Sequence, residues 1–101
     1  MKQFFPVAAA CLLSVASASQ AADANLGRNL AATCANCHGT NGHAAPDTPL
    51  LPLAGTPKAI TRQKLAAFKQ GDTPASIMHQ IAKGYTDAQL DLIAEYFAAQ
   101  K

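Results

Sequence analysis

The sequence has 101 residues, of which 14% are charged, and a formal net charge of +2 at pH 7. A chain of this length has room for one small domain. Its nearly neutral charge disfavours a nucleic-acid partner, because such proteins carry strongly basic surfaces. These figures therefore predict a single small domain that does not bind nucleic acid.

The first 22 residues have the layout of a secretory signal peptide. Lys2 precedes an apolar run that passes into small residues with an Ala-x-Ala-like end. We expect cleavage between Ala18 and Asp23, which would leave a domain over residues 23–101 in the periplasm. The apolar run is too short to span a bilayer, so we expect no membrane anchor.

The predicted mature domain is poor in large apolar side chains. From residue 23 onward the chain has 17 of them, beside 16 alanines. A domain of this size seldom closes a core alone, so a staple, a metal or a large apolar cofactor is expected. Alanine is abundant and no valine follows Val15, which favours helices over strands. The predicted fold class is all-α.

Start and stop signals predict four helices. The helices are expected at Ala24 to about Thr33, at Pro57 to Gln70, from Thr73-Pro74 to Gly84, and from Thr86 past Phe97. Threonine-proline pairs precede the second and third helices and a glycine ends each of them. Thr86 and Gln89 form a capping box at the start of the fourth.

Two features predict how these helices pack. Gly27 lowers the stability of the first helix unless it allows close packing, and a crossing by Tyr96 or Phe97 of the last helix would explain it. The Leu26 and Leu30 face of the first helix is the natural partner of the last one. Four basic residues on the second helix are interpreted as a solvated helix surface: Lys58, Arg62, Lys64 and Lys69.

The chemistry is carried by the pattern Cys34-x-x-Cys37-His38, which has the spacing of covalent c-type haem attachment. The two thiols bond to the porphyrin and the histidine ligates the iron. Three alternatives compete with this interpretation. A redox-active dithiol needs a βαβ setting, which a sequence that favours helices lacks. A zinc site needs further ligands, and only His43 and His79 could supply them. A structural disulfide would leave the shortage of large apolar side chains unexplained.

Met78 is the predicted sixth ligand of the iron. It is the only methionine after the signal peptide and precedes the last predicted helix. The alternatives are a methionine that only fills the core, and ligation by His79 instead; His43 is interpreted as a solvated loop histidine. Ligation by His38 and Met78 leaves no open position on the iron. This arrangement favours electron transfer without a catalytic site, whereas a haem enzyme or gas sensor needs an open or displaceable ligand.

The chain resembles class I cytochromes c of the cytochrome c4 type. The matching segments are Cys34 to Gly42, Leu53 to Gly55, Phe68 to Gly71, Ile77-Met78, Ile81 to Asp87 and Ala94 to Phe97. The run from Ser76 to Phe97 is most similar to the haem subunit of flavocytochrome c sulfide dehydrogenase. The resemblance implies about four helices around one covalent haem, with Met78 at the axial methionine position.

The resemblance also implies a partner. In the flavocytochrome, an FAD-containing flavoprotein subunit oxidises sulfide and passes electrons to the haem subunit, which delivers them to a downstream soluble acceptor. We therefore expect a subunit of a sulfide-oxidising oxidoreductase; the alternative is a freely diffusing monohaem carrier. Two departures stand out. The chain has one attachment motif, whereas relatives commonly have two. It also has prolines at Pro49 and Pro52 before Leu53, where the family usually has one proline, whose carbonyl accepts a hydrogen bond from the haem-ligating histidine. Either proline could therefore supply the carbonyl that accepts from His38.

Overall fold

The computed structural model describes residues 2–3 and 23–101, so nearly all of the predicted signal peptide and its cleavage region lie outside the described residues. The α-helices are α1 (Leu26–Ala31), α2 (Ala35–His38), α3 (Lys58–Gln70), α4 (Met78–Lys83) and α5 (Asp87–Ala98), with 3-10 helices at Ala32–Cys34 and Thr40–Gly42. This part of the chain contains no β-strand, which confirms the all-α prediction. No helix within it is long and apolar enough to cross a membrane.

The first helical stretch is longer than predicted. Helix α1, a 3-10 turn and α2 follow one another from Leu26 to His38, past the expected end near Thr33. The stretch begins at Leu26, two residues after the expected start at Ala24, and its N-cap Asn25 makes no side-chain hydrogen bond to the helix. Asp23 Oδ1 accepts from the Asn25 amide at 2.8 Å just before the helix. Gly39 ends the stretch with φ 81°, and a Cβ there would overlap the His43 carbonyl. The attachment motif is therefore helical throughout.

The third predicted helix begins later than its Thr73-Pro74 signal. Helix α3 ends at Gly71, whose left-handed φ of 80° turns the chain away from the helix axis. The chain must then reverse so that α4 can pack against α3, and residues 72–77 make this reversal without regular structure. Helix α4 thus begins at Met78. The connection between the helices, not the local threonine-proline signal, decides where it starts.

Helix α5 begins as predicted. The Gln89 amide donates to Thr86 Oγ1 at 3.1 Å and the Thr86 amide donates to Gln89 Oε1 at 2.9 Å, which completes the capping box. The helix packs against α1 and α3. Its buried face contributes Leu90, Ile93 and Phe97 to a core shared with Ala31.

Ion pairs join α3 to α5 on the solvent-exposed basic surface that was predicted for α3. The pairs are Lys58 with Glu95 at 3.7 Å, Arg62 with Asp91 at 2.8 Å, and Lys69 with Asp87 at 3.1 Å. The two helices are antiparallel neighbours, so basic residues spaced along one meet acidic residues spaced along the other. The basic character of α3 is largely neutralised within the molecule.

Candidate haem-attachment site

The helical stretch places both cysteines on one side of the chain. Cys34 ends the 3-10 turn and Cys37 lies in α2, and residues three apart on a helix are neighbours. Cys34 is half-buried, Cys37 is exposed, and each has a free thiol. The structure therefore gives no support to the structural-disulfide alternative. Burial raises the pKa of the Cys34 thiol above its usual value, which favours the neutral thiol.

His38 is the last residue of α2 and is half-buried. Burial lowers the pKa of its imidazole, and the neutral ring is the form that coordinates a metal. Its Nδ1 atom is buried and finds no hydrogen-bond partner among the described residues. The Pro52 carbonyl accepts instead from Thr56 Oγ1 at 3.2 Å.

Met78 is the first residue of α4 and is half-buried. The residue after it, His79, has a buried Nδ1 atom without a hydrogen-bond partner in the part of the chain that the structure describes. His43 is exposed, with Nε2 2.7 Å from the Lys101 oxygen and Nδ1 3.2 Å from the Thr40 oxygen. Both oxygens can only accept, so the His43 nitrogen that carries the proton donates to one of them, and the ring lies at the exposed surface.

The zinc alternative gains no support from the geometry. Within residues 2–3 and 23–101, no group of three or more histidine, cysteine, aspartate or glutamate side chains is placed to hold a metal ion. A structural zinc site needs four such ligands. The two motif cysteines and His38 thus have no further protein ligands to complete a zinc site.

The residues present fit a haem. Covalent attachment needs two free thiols that can form thioether bonds and a neutral imidazole that can ligate the iron. Cys34 and Cys37 supply the thiols one helical turn apart, and the adjacent His38 supplies the imidazole. The core beside them is small, because Leu90, Ile93 and Phe97 are the large apolar side chains that are buried among the described residues. Leu51 and Ile77 are 74% and 54% exposed. Exposure of such side chains to water is unfavourable, so a large apolar ligand that covered them would stabilise the domain.

Comparison with known proteins identifies the family. The family model described as cytochrome c matches residues 24–101, and the chain belongs to the cytochrome c family. It is 38% identical over 71 residues to the cytochrome subunit of sulfide dehydrogenase of Chlorobaculum tepidum, covering 70% of this chain and 63% of that one. It is 31% identical to cytochrome c-554(548) of Halomonas halodenitrificans, over 80% of this chain and all of the other.

Cytochrome c4 of Pseudomonas aeruginosa is 35% identical over 85 residues, which cover 83% of this chain and 41% of the relative. The chain therefore spans less than two thirds of the sulfide dehydrogenase subunit and less than half of cytochrome c4. These matches confirm the predicted class I c-type cytochrome and its all-α fold. Cys34 and Cys37 fit the attachment motif of a covalently bound haem c, and the function is electron transfer.

One part of the site was missed from the sequence. No pattern in the sequence predicted a role for Tyr85 at the site, yet its hydroxyl lies 3.1 Å from Thr33 Oγ1, beside the attachment motif. The sequence offered one signal, the presence of tyrosine at a position where an apolar side chain would also pack. A tyrosine hydroxyl that is removed from water usually has a polar partner. That signal does not name the partner.

Proposed function

We propose that this chain is the cytochrome subunit of a flavocytochrome of the sulfide dehydrogenase type. It is exported to the periplasm after removal of the signal peptide, accepts electrons from an FAD-containing flavoprotein subunit and passes them to a soluble acceptor. The observation that carries this proposal is the similarity to the Chlorobaculum tepidum subunit. The segment from Ser76 to Phe97, which resembles the haem subunit of flavocytochrome c sulfide dehydrogenase, supports it.

Four residues have assigned roles in this proposal. Cys34 and Cys37 would hold the haem through thioether bonds, and His38 and Met78 would ligate its iron. Haem c supplies a one-electron iron couple when bound. With both of these side chains as ligands the iron would have no open position for a substrate, so oxidation of sulfide would take place on the partner.

The charge distribution supports a lasting complex. A diffusing shuttle is steered to its partners by a large field of one sign. Here the net charge is +2 for the whole sequence, and three of the four basic residues of α3 pair with carboxylates of α5. The surface of the domain therefore generates little long-range attraction, and a stable interface brings the haem to the flavoprotein instead.

One observation favours the second candidate, a freely diffusing monohaem carrier. The match to Halomonas halodenitrificans cytochrome c-554(548) covers the whole of that protein. A chain with one attachment motif is thus comparable in extent to a single-domain cytochrome. The two candidates share the haem chemistry and differ in whether the protein stays bound to its electron donor.

Size-exclusion chromatography of native extract at moderate salt separates the candidates. Haem and flavin absorbance are followed in every fraction. The proposal predicts that both elute together, and that sulfide added to this fraction bleaches the flavin and then reduces the haem. The isolated cytochrome, with the same sulfide addition, is the control and should be reduced slowly or not at all. A haem peak at the size of a small monomer, without flavin, contradicts the proposal and favours the diffusing carrier.

A further inference from the structure

Tyr85 joins two segments that are distant in the sequence. Its hydroxyl lies 3.1 Å from Thr33 Oγ1 and donates to the Leu30 carbonyl at 3.5 Å. Thr33 immediately precedes Cys34, whereas Tyr85 follows the end of α4 at Lys83 by two residues. One side chain therefore links the helix that begins with Met78 to the segment that carries the attachment motif.

The backbone of Tyr85 is also fixed. Lys69 Nζ donates to the Tyr85 carbonyl at 2.7 Å and to Asp87 Oδ1 at 3.1 Å, and the Tyr85 amide donates to the Ala82 carbonyl at 3.3 Å. The ring packs against the core cluster of Leu90 and its neighbours. Tyr85 thus has fixed contacts with α1, α3, α4 and α5.

Met78 lies at the other end of the same short helix, which packs against α3. Helix α4 has only six residues, so Met78 and the helix end near Tyr85 move as one short unit. On the other side of Met78, residues 72–77 have no regular structure, and the helix start has no side-chain cap. The hydroxyl contacts of Tyr85 with Thr33 and Leu30 tie the C-terminal end of this unit to the attachment segment.

We propose that Tyr85 is a positioning residue for the sixth ligand. Its hydroxyl contact with Thr33 fixes α4 against the attachment segment and so holds Met78 where the iron requires it. This inference rests on the ligation by Met78 proposed above. A hydrogen bond of ordinary strength shifts an equilibrium roughly two- to tenfold. Loss of the contact between Tyr85 and Thr33 should therefore raise the fraction of molecules in which Met78 has left the iron roughly two- to tenfold.

The test uses Tyr85→Phe in the haem-loaded protein, which keeps the ring and removes the hydroxyl. Tyr96→Phe is the matched control, because Tyr96 also packs against the core and its hydroxyl donates to the Asn41 side chain, away from α4. The readout is the rate at which the reduced protein binds carbon monoxide, since this ligand enters only when Met78 is off the iron. The rate should rise roughly two- to tenfold in Tyr85→Phe and stay unchanged in Tyr96→Phe.

Thr33→Val removes the other partner of the contact. It should also accelerate carbon monoxide binding, and the double variant should be no faster than Tyr85→Phe alone, because Thr33→Val removes a contact that Tyr85→Phe already removes together with the one to Leu30. Equal rates in Tyr85→Phe, Tyr96→Phe and the unsubstituted protein would overturn the positioning role.

Met78→Ala separates the two proposals. If it removes the sulfur-to-iron charge-transfer band in the far red while Tyr85→Phe behaves like Tyr96→Phe, ligation stands and the positioning role is wrong. If the band survives Met78→Ala, ligation by Met78 is wrong and the positioning role fails with it.

Discussion

Gly27 of α1 lies directly against the backbone of Leu92 in α5, so that a Cβ at Gly27 would be 3.0 Å from the Leu92 carbonyl oxygen. The same atom would be 3.6 Å from Tyr96 Cβ. The two helices therefore cross with no side chain between them at this point. The crossing fixes the helical stretch that leads into Cys34, and so it positions the haem-attachment motif on the core.

Gly27→Val should destabilise the domain, although valine has a better intrinsic helix propensity than glycine. Its branched side chain must enter a contact that is already filled, and overpacking of this kind costs about 1–3 kcal/mol. Chemical denaturation of the haem-loaded protein measures the free energy of unfolding. Asn29→Val, at an exposed position of the same helix, is the control and should change it by less than about 0.5 kcal/mol. Equal effects would show that the crossing is not close-packed.

Thr86→Ala should lower the free energy of unfolding by about 1 kcal/mol, because the Gln89 amide loses its acceptor at the start of α5. Thr86→Ser keeps the hydroxyl and should retain most of the stability. Denaturant midpoints of the three proteins compare them directly. An alanine variant as stable as the serine variant would contradict the role of the capping box.

Arg62→Met should destabilise the domain more than Lys58→Met. The Arg62 side chain is 24% exposed and lies 2.8 Å from Asp91, whereas Lys58 is 46% exposed and 3.7 Å from Glu95. Exposed ion pairs contribute about 0–1 kcal/mol, and we expect Arg62 at the upper end of this range and Lys58 at the lower. Raising the salt concentration should reduce the difference between the two variants in free energy of unfolding, because salt screens the ion pairs. Two variants of equal stability at low salt would contradict this ranking.

Removal of both attachment cysteines should prevent cooperative folding. In the described part of the chain, the buried large apolar side chains are Leu90, Ile93 and Phe97, so the core is too small without the porphyrin. Cys34→Ala/Cys37→Ala, purified without haem, should give weak far-ultraviolet circular dichroism and a broad thermal transition. A compact apoprotein with a sharp transition would show that the polypeptide closes its own core.

Local signals predicted the parts of the fold that depend on neighbouring residues. The capping box of Thr86 and Gln89, the stop at Gly71 and the close approach at Gly27 all follow from residue types whose backbone or side-chain chemistry permits few alternatives. The attachment motif was also predicted, because its chemistry depends on spacing along one short segment.

Contacts between distant segments were not predictable in the same way. Thr73-Pro74 gave a local start signal for the third helix, but the reversal after Gly71 displaced the start to Met78. The pairing of Arg62 with Asp91 and the contact of Tyr85 with Thr33 join residues 29 and 52 positions apart. Sequence patterns within one helix carry no information about such partners, which only the packing of the helices brings together.

The most direct test of the central claim is X-ray absorption spectroscopy at the iron edge of the oxidised, haem-loaded protein. A closed electron-transfer site with His38 and Met78 as axial ligands predicts five nitrogen neighbours and one sulfur neighbour, with the sulfur contribution absent in Met78→Ala. Six nitrogen neighbours in the unsubstituted protein would contradict this account and indicate a histidine, with His79 the first candidate, in place of Met78.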